Sequence, residues 1–102
     1  MPKKKKSTKS RVVPSYVQIG AHKIPVELQK GLLNNEAYGT FDPDKLEIKI
    51  ESDMSDALKH ETLLHEVIEA INFLCELELE HQAIQVLGLM LHQVMECIQE
   101  QS

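Results

Sequence analysis

The sequence predicts an α+β domain in which a small antiparallel sheet precedes two packed helices. Apolar residues alternate with polar residues up to about residue 50, and from Asp53 they recur with the spacing of a helix. A chain of 102 residues with 42% hydrophobic residues can form one hydrophobic core, but a second domain is not expected. We therefore expect residues 12–102 to form a single domain.

Short β-rich segments lie before residue 51. "SYVQIG" and "HKIPVEL" flank Gly20 and Ala21, which predicts a hairpin with Pro25 tolerated on an edge strand. "YGTF" and "LEIKI" flank the turn sequence "DPDK". Because the apolar residues of "LEIKI" alternate with Glu47 and Lys49, this segment predicts a strand with one buried face.

Two helices are predicted after the strands. Asp53 can cap the first helix, which continues without Gly or Pro to about Glu76, and a second helix is predicted from about Glu80 to Gln99. The broad apolar arc of the first helix should pack on the sheet, so its polar arc faces either water or the second helix. The residues expected to form the buried stripe of the second helix are Ile84, Leu87, Met90, Leu91, Val94 and Ile98.

The two cysteines, Cys75 and Cys97, lie in apolar helical segments and lack Cys-x-x-Cys spacing. We therefore expect both thiols to be reduced and to serve in packing, as we also expect of Met90 and Met95. A disulfide framework is not expected.

Charge is distributed unevenly along the chain. Six of the eleven basic residues lie in the first eleven positions, which contain no acidic residue. We expect residues 1–11 to form a disordered basic tail, and the acidic remainder argues against a specific nucleic-acid partner. The sequence shows no signal peptide and no membrane-spanning segment, which predicts a cytoplasmic protein with no membrane partner.

The segment "TLLHEVIEAI" in the first helix contains a candidate metal site. His65 and Glu69 are four residues apart, so they project from the same side of a helix and can bind one ion. Glu66 can reach a water on that ion, as the general base does in the His-Glu-x-x-His pattern. A carboxylate binds Zn²⁺ at about the same distance as an imidazole, so Glu69 can take the place of the second histidine.

A zinc site of this kind usually has three protein ligands. His81 is the best candidate for the third, because it begins the second helix and faces the first if the two helices pack antiparallel. Glu78 and Glu80 are weaker alternatives.

The other histidines are less suitable as ligands. His22 belongs to the first hairpin and could line the site. His60 lies about 140° round the helix from His65, and His92 lies roughly 16 Å along the axis from His81, so neither should share the ion.

The segments "YGTF", "LEIKI" and "TLLHEVIEAI" resemble, in this order, the strand, edge strand and active-site helix of small gluzincin-type metallopeptidases. The resemblance is greatest to short phage-encoded, minigluzincin-like proteins with a zincin-like minimal domain, and it covers about residues 16–96. In that family the ligands are two histidines of the first helix and a glutamate of the next helix. Here Glu69 replaces the second histidine and His81 lies near the expected glutamate. The two exchanges keep two imidazoles and one carboxylate, which favours a rearranged site over a lost one.

The resemblance implies a zinc-dependent, peptidase-like hydrolase. Zn²⁺ would be held by His65, Glu69 and His81, with Glu66 activating water, and the substrate would be a peptide or protein. The alternative is a non-catalytic phage accessory protein that binds a host protein and keeps a structural metal site or none, because a chain this short has little room for a substrate pocket. A phage-encoded protein of either kind would act in the host cytoplasm.

Overall fold

The structure, a computed structural model, describes residues 13–35 and 37–101. Its four strands are β1 (Tyr16–Ile19), β2 (His22–Gln29), β3 (Gly39–Asp42) and β4 (Glu47–Glu51). A 3-10 helix, Leu32–Asn35, joins β2 to β3, and the chain continues into α1 (Asp56–Cys75) and α2 (His81–Glu100). The predicted α+β class and the order of sheet and helices are confirmed. The predicted basic tail lies outside the described residues.

The strand order in the sheet is β1-β2-β4-β3. The pairs β1/β2 and β3/β4 are antiparallel, as expected, but β2 and β4 run parallel, with Val26 opposite Ile48. The sheet is therefore mixed and not entirely antiparallel. The reason is the path after β2: the chain first crosses to the outer position to form β3 and then turns back, so β4 enters beside β2 in the same direction.

Pro25 lies in β2, which is an interior strand and not the predicted edge strand. β2 pairs with β1 through residues 22–25 and with β4 only from Val26 onward. Pro25 therefore has a neighbouring strand on one side only, which is the local environment that tolerates a residue without an N–H group. The staggered pairing explains how an interior strand accommodates this proline.

The hydrophobic core lies between one face of the sheet and α1. Ile24, Ile48 and Ile50 are completely buried, and Ala70 of α1 is buried with them. Ile48 and Ile50 are two residues apart in β4, so the predicted alternation does place one face of this strand in the core. This packing fixes α1 across the sheet.

The ends of α1 are set by local hydrogen bonds. Ser55, and not Asp53, is the N-cap, because its side chain accepts a hydrogen bond from the N–H of Leu58. At the other end Glu76 adopts a left-handed conformation with φ of 52°, which ends the helix. The N–H of Leu79 donates to Oδ1 of Asn72 at 2.8 Å, which folds the short connection back on α1. As a result α2 packs antiparallel to α1.

The face of α2 that packs on α1 differs from the predicted stripe. The buried residues of α2 are Ile84, Gly88 and His92. A Cβ atom at position 88 would lie 3.3 Å from the backbone N and Cα of His65, so the glycine permits an unusually close approach of the helices. The prediction was wrong for five of its six residues, which are exposed: Leu87, Met90, Leu91, Val94 and Ile98.

The expectation that the cysteines and two methionines serve in packing was also wrong. Cys75 and Cys97 are free thiols, as expected, but both are exposed. Met90 and Met95 are exposed as well. In α2 the physical reason is that the helix packs through Ile84, Gly88 and His92, so its methionines and Cys97 lie outside the contact. Because Cys75 is exposed, a Cys75→Ser change should alter stability little.

Glu51, at the end of β4, is 1% exposed. Its two carboxylate oxygens accept hydrogen bonds from the N–H groups of Leu33 and Asp53, each at 3.0 Å. Burial raises the pKa of this carboxyl, but the surrounding backbone N–H donors outweigh that effect and hold the pKa below its ordinary value. Glu51 thus ties the 3-10 helix to the end of β4 in its ionised form.

We expect Glu51→Gln to make the free energy of unfolding less dependent on acid pH. A carboxyl whose pKa is lower in the folded state stabilises the protein above the unfolded pKa, and this stabilisation is lost as the pH falls through the folded pKa. The wild type should therefore lose stability below about pH 4.5 more steeply than the variant. Urea unfolding at neutral and acid pH measures this, with Glu47→Gln in the same strand as the control. Identical pH dependence in wild type and Glu51→Gln would contradict the assignment.

Candidate metal centre

His65, Glu69 and His81 lie together where α1 meets the start of α2. Nε2 of His65 and Nδ1 of His81 each lie 3.5 Å from Oε2 of Glu69. The two imidazole rings are edge to face, with centroids 5.4 Å apart. One ligand atom from each of the three residues lies within 4.8 Å of the others, so the group could hold a metal ion.

The donor types of this group and the two distances to Glu69 are similar to those of a zinc site. Zinc bonds of about 2.0–2.2 Å at tetrahedral angles separate two ligand atoms by roughly 3.4 Å. The two 3.5 Å contacts of Glu69 are close to that separation. Two imidazoles and one carboxylate also form a donor set that zinc enzymes use, with a further position left for water.

Local structure explains why His81 reaches the residues of α1. The five residues between α1 and α2 reverse the chain direction, and Glu80 is the N-cap residue of α2. His81 therefore occupies the first turn of α2, opposite the turn of α1 that contains Glu69. The alternatives Glu78 and Glu80 are exposed, and so is His22 on β2. None of these three belongs to the ligand group or lines the cleft beside it.

The surroundings of His65 favour the form that binds metal. Burial lowers the pKa of His65 below its ordinary value, against the opposing effect of the Glu69 carboxylate. Metal ions bind the neutral imidazole, so a lowered pKa leaves more of the ligand form available near neutral pH.

Glu66 is buried beneath β3, with 7% of its surface exposed. A Cβ atom at Gly39 would lie 3.2 Å from Cγ of Glu66, so the absence of a side chain at position 39 leaves room for this carboxyl. Burial raises the pKa of Glu66 to about 7, and the negative charge of Glu69 adds to the shift. A carboxyl with this pKa can both accept and return a proton near neutral pH.

A cleft of about 660 Å³ lies between β3 and the two helices. One wall is formed by residues 37–41, and the opposite wall includes Glu66 together with His65, Glu69 and His81. In the described sheet β3 is an outermost strand, so one edge of its backbone is open. The candidate ligands and the buried carboxyl therefore border the same space beside an open strand edge.

Two features of the region were not predicted from the sequence. Thr62, a polar residue of α1, is buried against β3 and lines the cleft. His60 and His92, considered only as ligands, contact each other, with their Nδ1 atoms 2.8 Å apart. The antiparallel register that places Gly88 against His65 also places these two histidines together. Gly88 is the sequence signal that could have predicted the contact, because a glycine in a helix can mark the point where a second helix packs closely.

Comparison of the chain with protein-family models, curated proteins and solved structures gave no match. Neither described helix is long and apolar enough to cross a membrane.

Proposed function

We propose that the protein is a zinc-dependent hydrolase that cleaves peptide bonds. The observation that carries this proposal is the position of Glu66, a buried carboxyl that adjoins the His65, Glu69 and His81 group and lines the same cleft. A structural zinc site needs ligands but no additional base, whereas a hydrolytic site needs both. The combination of a base, a ligand group and an accessible cleft supports hydrolysis over a purely structural role.

The ligand residues and Glu66 have separate roles in the proposed reaction. His65, Glu69 and His81 would bind zinc, and the bound ion would lower the pKa of a water and polarise the scissile carbonyl. Glu66 accepts a proton from the attacking water, whose oxygen forms a bond to the carbonyl carbon. As the carbon–nitrogen bond breaks, Glu66 transfers that proton to the leaving amine, and a pKa of about 7 suits both steps.

An extended peptide is the substrate class that the cleft favours. The open edge of β3 presents backbone N–H and C=O groups that can pair with a peptide strand. Gly39 and Thr40 of this strand lie opposite the ligand group across the cleft, so a paired peptide would pass between β3 and the ligands. The volume of about 660 Å³ is sufficient for a few residues of such a peptide.

Glu66→Gln is the experiment that tests this proposal. The change keeps the side-chain size and all three ligands but removes the base, so zinc content should stay equal to that of the wild type. Hydrolysis of a fluorogenic library of unstructured peptides should fall by at least about 10²-fold. Glu61→Gln is the matched control, because Glu61 lines the same cleft from the same helix and should tolerate the change.

Zinc is measured by elemental mass spectrometry on protein purified without a chelator. Equal hydrolysis rates in the wild type and Glu66→Gln would contradict the role of Glu66. A zinc-loaded wild type that hydrolyses no peptide of the library would instead favour a structural metal site.

A further inference from the structure

The side of α2 that faces away from α1 is apolar over most of its length. Its large apolar side chains are 42–60% exposed: Val86, Leu87, Met90, Leu91, Val94 and Ile98. Together they expose on the order of 600 Å², which is at the upper limit of the largest apolar patch on a typical monomer. Between His81 and Gln99 the only Asp, Glu, Lys or Arg is Glu96. A surface of this size and composition marks an interaction site.

Apolar residues on this side of α2 follow the spacing of a helix-pairing seam. Steps of four and three residues alternate along Ala83, Leu87, Met90, Val94 and Cys97. This spacing keeps side chains on one side of a helix in contact with a second helix. The centre of the seam lies about 140° round α2 from Gly88, where α1 is packed. The seam is therefore distinct from the α1 contact and is accessible to a second helix.

We propose that a second copy of this chain covers the seam, so that two α2 helices pack against each other in a homodimer. If the contact covers the whole exposed apolar side of α2 around the seam, two copies bury on the order of 1,200 Å² in total, which is the lower end of the range for specific protein interfaces. The residues after position 11 contain sixteen acidic and five basic side chains, so most surfaces of two copies repel each other. The seam contains no ionised side chain, which allows two copies to meet there without bringing like charges together.

The homodimer leaves the cleft accessible. The cleft-lining residues of α2 are His81, Gln85 and Leu89, which lie on the opposite side of the helix from the seam. Zinc binding and hydrolysis therefore do not depend on this inference, and the dimer can be tested without reference to either.

Sedimentation velocity of the full chain over a concentration series tests the homodimer. The wild type should sediment as a species of twice the 11.6 kDa chain mass and dissociate on dilution. Val94→Glu places a charge on the seam of each copy, so its dimer dissociation constant should rise at least tenfold. Gln85→Glu adds the same charge at an exposed position on the opposite side of α2 from the seam and should leave the dimer intact.

Leu87→Glu is a second seam variant, and it should also dissociate the dimer. Because Val94 and Leu87 are exposed in the monomer, far-UV circular dichroism of both variants should match that of the wild type. A wild type that is monomeric throughout the series would overturn the proposal. Equal dissociation by Gln85→Glu, or an assembly that neither seam variant disrupts, would overturn it as well.

Discussion

Replacement of His65, Glu69 or His81 by alanine should lower zinc affinity by more than about 10²-fold. Loss of a group that only orients a metal ligand costs about 10–100-fold in affinity, so loss of a direct ligand should cost more. One ligand atom from each of the three residues lies within 4.8 Å of the others. Each alanine variant therefore keeps only two protein ligands. Competition with a chromophoric chelator measures the affinity and does not depend on catalytic activity.

His22→Ala is the control for these three variants. His22 is an exposed histidine on β2 that lies outside the ligand group, so its removal should leave zinc affinity unchanged. Full affinity in His81→Ala would mean that the third ligand is a different residue. A wild type that binds no metal would mean that the cluster is an ordinary set of polar contacts between two helices.

The combined change Glu69→His and His81→Glu tests the cluster as a unit. The double variant would have two histidines on α1 and a carboxylate on α2, which is the ligand order expected from the resemblance to gluzincin-type sites. Each single change alters the donor set, whereas the double variant keeps two imidazoles and one carboxylate. Nδ1 of His81 and Oε2 of Glu69 are 3.5 Å apart. The double variant should therefore bind zinc more tightly than the sum of the two single effects on the binding free energy predicts. Additive effects on affinity would show that the two positions do not share an ion.

Gly39→Ala should destabilise the fold by roughly 1–3 kcal/mol, the usual cost of an added methyl group in a packed region. The new Cβ atom would lie 2.7 Å from Cγ2 of Thr62 and 3.1 Å from the carbonyl oxygen of Lys49. Neither atom can move easily, because Thr62 is buried on α1 and Lys49 belongs to the neighbouring strand. β3 should therefore shift away from α1 and widen the cleft above Glu66.

Denaturant unfolding measures the loss of stability caused by Gly39→Ala. The matched comparison is the same change in a Thr62→Ser background. The serine lacks the methyl group that the new Cβ would meet, so Gly39→Ala should cost less in that background. An equal cost in both backgrounds would show that Thr62 is not the obstacle. A fully stable Gly39→Ala protein would show that β3 and α1 are not as closely packed as the structure has them.

Local sequence patterns were sufficient to identify most of the secondary structure. The alternation of Ile48 and Ile50 with polar residues depends only on the pleat of a strand, and β4 has one buried face as predicted. The proximity of His65 to Glu69 depends only on the pitch of a helix. Such features follow from geometry within a few residues, so they can be predicted without knowledge of the fold.

To predict that His81 contacts α1, one assumption about tertiary structure was needed. The sequence placed His81 at the start of a helix after a short connection, but its contact with Glu69 also needs antiparallel packing. Glu76 and Asn72 provide the tight reversal that produces this packing. The left-handed conformation of Glu76 has no clear local signal, because a glutamate does not favour that region.

The sequence by itself determined the α+β class, the two helices and the spacing of the candidate ligands on α1, because each depends on local periodicity. Only the tertiary structure decided that Glu66 is buried, that β2 and β4 are parallel, and that α2 packs through Gly88. Hydrophobicity alone favoured the face of α2 that contains Leu87 and Val94, but that face is exposed. The close approach at Gly88 selected the other face, since backbones can approach most closely where a side chain is missing. That choice left the apolar seam of α2 exposed and placed His81 against Glu69.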